Sequence, residues 1–111
     1  MIEMDEKKFE QILSASSDHT SQAKLAVFFY TPFCGTCHLA ERMLSVVEQM
    51  RADWSLYKIN INFSPGLVAS WRIESVPCLA FISQGDLVRK EYAFQSVDML
   101  LEWFRAFFRN G

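Results

Sequence analysis

Cysteine, proline and glycine are scarce in this chain: three, three and four in 111 residues. An odd, small cysteine count is rare in a secreted scaffold held by disulfides, whereas a cytosolic chain keeps such thiols reduced. No linker, repeat or low-complexity tract interrupts the sequence, so a single domain over residues 1–111 is expected. No stretch approaches the ~18 apolar residues of a membrane span. The opening Met1-Ile2-Glu3-Met4-Asp5-Glu6 is acidic and lacks the apolar segment of a secretory signal. Eleven basic against thirteen acidic residues leave a net charge of −2 and no long basic run, which removes the electrostatic footprint of a nucleic-acid binder. Together these absences predict a cytoplasmic protein with neither nucleic acid nor membrane as partner.

What is plentiful is apolar surface. Half of the residues are hydrophobic, with ten Phe and three Trp, enough for one core. Phe9, Ile12 and Leu13 stand at helical spacing behind the acidic Asp5, predicting a first helix to Ser16, preceded by at most a short edge strand at Ile2 to Met4. The continuous run Leu25 to Tyr30 reads as a strand buried on both faces. From Gly35 to Arg51, Leu39, Met43, Val46, Val47 and Met50 predict one apolar face, with Glu41, Arg42, Glu48 and Gln49 opposite. Trp54 to Ile61 alternates as a strand, and Ser64-Pro65 opens a short helix to about Trp71. Cys78 to Ile82 and Leu87 to Tyr92 flank the turn residues Ser83 to Asp86 as a hairpin. Ser96 caps a last helix with Val97, Leu100, Leu101, Phe104, Phe107 and Phe108 on one stripe, Met99 and Trp103 lying off it. The expected order is β-α-β-α-β-α-β-β-α.

Cys34-Gly35-Thr36-Cys37 falls where the buried strand gives way to the long helix. That placement favours redox chemistry over structural metal binding. With Cys34 at the helix entrance and Cys37 one turn inside, both sulfurs lie on one face and can close a short disulfide ring. Free N–H groups at a helix start stabilise a thiolate, so Cys34 should ionise below the ~8.5 of a free thiol. Cys37, less exposed, should hold its proton until a mixed disulfide on Cys34 needs resolving. The alternatives at this point are an ordinary buried cysteine pair or half of a zinc site.

The element order, the Cys-x-x-Cys at a strand-to-helix junction, Val76-Pro77 before a hairpin, Lys58-Ile59-Asn60-Ile61-Asn62, Pro65-Gly66 and Gly85 together resemble the thioredoxin family over nearly the whole chain. The resemblance implies an α/β thioredoxin fold, a central mixed sheet flanked by helices. It further implies Cys34 as attacking thiol, Cys37 as resolving thiol and Pro77 in the cis form. The backbone of Val76 beside Cys34 would then be open to an extended substrate segment, with Phe33, Gly35 and Thr36 completing the contact surface. Phe33, Trp71 and Val76 also read as an apolar rim around Cys34, against the alternative of single exposed apolar residues without a function. The implied activity is reduction of client-protein disulfides. No bound cofactor is implied beyond the Cys34–Cys37 disulfide, with electrons arriving from NADPH through a flavin-dependent reductase of the thioredoxin-reductase type.

Several positions depart from the family pattern. Thr36 stands where proline is usual and Phe33 where tryptophan is. Arg42 replaces a helix-kinking proline, and Cys78 follows Pro77 where threonine is common. Phe28 occupies the site of a buried aspartate thought to help deprotonate the second cysteine. Lys58, by charge, and His38, by its imidazole, are the candidates to assist in its place, each against the alternative of a solvated side chain. The departure at Phe28 supports a second reading, a thioredoxin-fold binding module with poor turnover. A third is zinc or iron–sulfur binding by Cys34, Cys37, Cys78 and His38, against the plainer view of Cys78 as a small core residue.

Overall fold

A computed structural model describes residues 1–16 and 24–109. The elements are β1 (Ile2–Glu3), α1 (Glu6–Ser16), β2 (Lys24–Tyr30), α2 (Gly35–Met50), β3 (Leu56–Asn60), a 3-10 turn (Ile61–Phe63), α3 (Pro65–Ser70), β4 (Cys78–Ser83), β5 (Asp86–Glu91) and α4 (Val97–Phe108). The strands form one mixed sheet in the order β1-β3-β2-β4-β5. β1, β3 and β2 run parallel, while β4 pairs antiparallel with both β2 and β5. The α/β architecture is the expected one.

β2 is central because each of its faces carries apolar side chains that must be covered. Successive side chains of a strand point to opposite faces. Ala26 and Phe28 join Leu79 and Phe81 in a cluster with Cys37, Ala40 and Leu44 of α2 and Leu100 and Phe104 of α4. Leu25, Val27 and Phe29 join Cys78, Ala80 and Ile82 in a second cluster with Phe9 of α1 and Leu67 of α3. Helices α2 and α4 therefore cover one face, and α1 and α3 the other.

The buried stripe of α2 differs from the expected one. Cys37, Ala40, Leu44 and Val47 face the sheet, whereas Leu39, Val46 and Met50 are exposed and Met43 is partly buried. Apolar residues occupy two sides of this helix, and the sheet selects the side with small Cys37 and Ala40, which permit close approach. Trp71 is half-buried, its ring meeting Phe9 and Phe29 edge-on at 5.9 and 6.1 Å at the border of the α1/α3 cluster.

Local boundaries shift for identifiable reasons. β3 starts only at Leu56 because Trp54 packs under Phe104 and Phe108 of α4, at 5.5 and 5.7 Å between ring centres. Ile61 leaves the strand for the 3-10 turn. Ser64 precedes α3 but its hydroxyl donates to Asn60 O at 3.0 Å instead of capping. The cap comes from elsewhere: Glu6 of α1 accepts the N–H of Leu67 at 2.7 Å. Gly66 makes room for it, since a Cβ there would stand 2.8 Å from that carboxylate. The hairpin turn tightens to Gln84-Gly85, with φ of 52° and 86°, the left-handed pair suited to a two-residue connection.

Candidate active site

β2 ends at Tyr30, and after the short bend Thr31 to Phe33 the chain enters α2 with Cys34 as its N-cap. Cys34 has extended backbone angles, φ −105° and ψ 111°, and its Sγ accepts the N–H of Cys37 at 3.1 Å. A side-chain oxygen usually takes this place, satisfying one of the unpaired N–H groups of the first turn. Here a sulfur does so. Thr36 Oγ1 lies 3.2 Å from the same sulfur.

These contacts separate the two thiols. For Cys34 the desolvation from its neighbours pushes upward, but hydrogen bonds from the side chains and backbone of Cys37 and Thr36 together outweigh it, and its pKa falls below the ordinary thiol value. Cys37 is buried against the core, and burial, its hydrogen bond to Cys34 and the negative charges of Cys34 and Glu41 push it up to about 11. One sulfur has its thiolate favoured; its neighbour three residues on holds its proton more firmly.

Around Cys34 the surface is open. Phe33 is 94% exposed, and a Cβ added at Gly35 would meet nothing within 4 Å. The Val76–Pro77 peptide bond is cis, and Val76 is half-buried against both core clusters. Pro77 and Thr36 border a groove of about 330 Å³ whose walls include Leu39, Met43, Tyr92 and Phe94. Phe33, Gly35, Thr36, Val76 and Pro77 thus occur at one end of the sheet, Phe33 on the bend after β2, Gly35 and Thr36 in the first turn of α2, and Val76 and Pro77 just before β4.

On the other side of Cys37 lies a second cavity, of about 730 Å³, lined by Tyr30, Cys37, His38, Glu41 and Lys58 among others. Lys58 is not a solvated strand end. Its Nζ donates to Glu41 Oε2 at 3.0 Å and sits 5.5 Å from the centre of the Tyr30 ring. The Tyr30 hydroxyl donates to Glu3 on the edge strand. Burial, that hydrogen bond and the nearby carboxylates all raise the Tyr30 pKa. His38 is exposed and its Nε2 donates to Pro32 O at 2.9 Å, which ties the imidazole to the bend before Cys34.

Cys78 does not join the pair. Its side chain belongs to the cluster on the α1/α3 face, opposite the one that holds Cys37, and it is fully buried. Burial pushes its pKa up to about 12, only partly offset by Tyr92 and Lys90. The expectation that Cys78 lies beside Cys34 and Cys37 is therefore corrected: adjacent strand positions face opposite ways, and Cys78 follows Pro77 into the other layer. Among the described residues no group of three or more His, Cys, Asp or Glu is placed to hold a metal ion. The four-residue zinc or iron–sulfur site is not assembled.

Glu41 is the residue that sequence reasoning passed over. The apolar pattern puts it on the polar side of α2, yet its position four after Cys37 places both on one side of the helix. That spacing was the available signal.

The thioredoxin family model matches residues 1–106. The chain is 45% identical to the thioredoxin-like protein YusE of Bacillus subtilis (strain 168) over 85 residues, 77% of this chain and 80% of the relative. It is 25% identical to a thioredoxin of Mycoplasmoides gallisepticum over 87 residues, 78% of this chain and 81% of that one. A mutant thioredoxin from Halobacterium salinarum NRC-1 superposes with a TM-score of 0.78, covering 96% of this chain and 88% of that chain at 18% identity, a likeness of fold.

Proposed function

The chain belongs to the thioredoxin family and is a thioredoxin-like redox protein, and we propose that its specific work is to reduce protein disulfides through Cys34 and Cys37. The observation that carries this reading is the Cys37 N–H donated to Cys34 Sγ at 3.1 Å, which favours the thiolate at the exposed end of the pair. Cys34 thiolate attacks one sulfur of a client disulfide. A mixed disulfide forms and the other client sulfur leaves with the bond electrons, taking a proton from solvent. Cys37, deprotonated, then attacks Cys34 Sγ, closes the Cys34–Cys37 disulfide and releases the second client thiolate. Two electrons pass from the cysteine pair to the client.

The open surface at Phe33 and Gly35 and the groove beside Pro77 and Thr36 support contact with an extended client segment. Regeneration would draw on NADPH through a flavin-dependent reductase, and the reducing cytoplasm is the compartment that suits this direction. Among the described residues no helix is long and apolar enough to cross a membrane.

The test is the reduction potential of the Cys34–Cys37 couple, measured against glutathione. A value at or below about −220 mV supports a reductant, while one near about −120 mV would make the protein an oxidant and overturn the reductase direction. A second reading, a binding module with poor turnover, is favoured by Phe28, a fully buried aromatic that supplies no carboxylate beside Cys37. Failure of the reduced protein to cleave any protein disulfide, with client binding retained, would select it.

A further inference from the structure

The resolving step requires Cys37 to lose a proton that its surroundings hold firmly, so a neighbouring group must accept it. From β2, Phe28 offers only an apolar ring in the same cluster. His38 is turned to Pro32 O. Glu41 stands one helical turn beyond Cys37 on the same side of α2, where Cβ atoms four apart are about 5–6 Å from each other. Both line the 730 Å³ cavity, in which Glu41 is the one carboxylate among the described lining residues. Its negative charge is felt at Cys37. Lys58 of β3 holds that carboxylate at 3.0 Å, and both side chains are partly shielded, 22% and 34% exposed for Lys58 and Glu41.

We propose that Glu41, anchored by Lys58, is the proton acceptor for Cys37 in the resolving step. This rests on the oxidoreductase reading above. With the mixed disulfide on Cys34, the Cys37 proton passes to the Glu41 carboxylate, directly or through one water in the cavity. The Cys37 thiolate attacks Cys34 Sγ, the Cys34–client bond breaks, and the proton returns from Glu41 to the departing client thiolate. Transfer leaves a neutral carboxylic acid beside the Lys58 ammonium and moves the negative charge to Cys37 Sγ. Tyr30 of β2, with Glu3 behind it, and His38 and Arg42 of α2 complete the titratable and charged surroundings.

The experiment mixes the reduced full-length protein with one equivalent of 5,5′-dithiobis(2-nitrobenzoic acid) in a stopped-flow instrument. The first thionitrobenzoate release reports attack by Cys34, and the second reports attack by Cys37. Glu41→Gln should leave the first release within about twofold and slow the second by roughly a hundredfold at neutral pH, the low end of a positioned general base. Its second rate should then climb tenfold per pH unit toward the Cys37 pKa of about 11, whereas the unaltered protein should show a flatter profile. A second release in Glu41→Gln that is unchanged or faster overturns the proposal, because a carboxylate that only repels the thiolate would accelerate the step when removed. A profile of the unaltered protein that already climbs tenfold per unit between pH 6 and 9 also overturns it. Absence of any second release from the unaltered protein would instead defeat the oxidoreductase reading.

Discussion

The backbone N–H of Cys37 donates to Sγ of Cys34 at 3.1 Å, so the residue whose thiol keeps its proton supplies the bond that stabilises its partner's thiolate. The first turn of α2 lowers the Cys34 pKa, and burial against the core raises that of Cys37.

Replacing Cys37 by serine should therefore leave attack intact and remove release. Cys37→Ser is expected to accumulate mixed disulfides with client proteins through Cys34, visible as adducts that reducing agent dissolves. Cys34→Ser should form none. Adducts that persist in Cys34→Ser would place the nucleophile elsewhere.

Alkylation against pH should single out one fast thiol, with an apparent pKa below the ~8.5 of a free thiol. Cys37 and Cys78 should stay slow across the neutral range, since burial pushes them up to about 11 and about 12. Thr36→Val removes the hydroxyl 3.2 Å from Cys34 Sγ and should raise the Cys34 pKa, slowing alkylation severalfold at mildly acidic pH and leaving the alkaline plateau unchanged. An unshifted profile would remove Thr36 from the stabilising set.

Cys78 should make the fold sensitive to alkali. Its folded pKa is raised, so above the ~8.5 of the unfolded thiol the unfolded chain has lost a proton that the folded chain retains. Stability is then full below that value and declines above it, by about 1.4 kcal/mol per pH unit for such a thiol. Cys37 contributes in the same sense until pH approaches about 11. Denaturant unfolding of Cys78→Ala between pH 8 and 10 should show a shallower decline than the unaltered protein. Equal slopes would contradict the burial assigned to this thiol.

Gly66→Ala should lose the Glu6 cap, worth about 1 kcal/mol, while a helix-propensity gain of up to about 1 kcal/mol offsets much of that loss. The added Cβ would stand 2.8 Å from Glu6 Oε1 and displace the carboxylate that accepts the Leu67 N–H. Glu6→Gln keeps the shape and should cost less than the full cap. Adding Glu6→Ala to Gly66→Ala should cost little more than either change alone, and simple additivity would show that the two residues act independently.

Much of the molecule was legible in the residue order. The uninterrupted Leu25 to Tyr30 marked β2 as central, and the spacing from Ser96 to Phe108 marked α4. The ring contacts of Trp71 were not legible, because an aromatic residue near a helix end has no neighbours in the residue order until Phe9 and Phe29 are placed beside it. The buried side of α2 is not legible for the related reason that apolar residues stand on two of its sides and only the sheet chooses between them.

The Cys34 half of the asymmetry was present in the residue order alone, because a helix start and a three-residue spacing are local, whereas the raised pKa of Cys37 comes first from its burial under the sheet. Only the tertiary structure decided what surrounds them. It set Lys58 against Glu41 across 17 positions of sequence and turned Cys78 into the opposite layer of the sheet. Both outcomes follow from strand register and the packing of α2 on one face, long-range relations that no local pattern encodes.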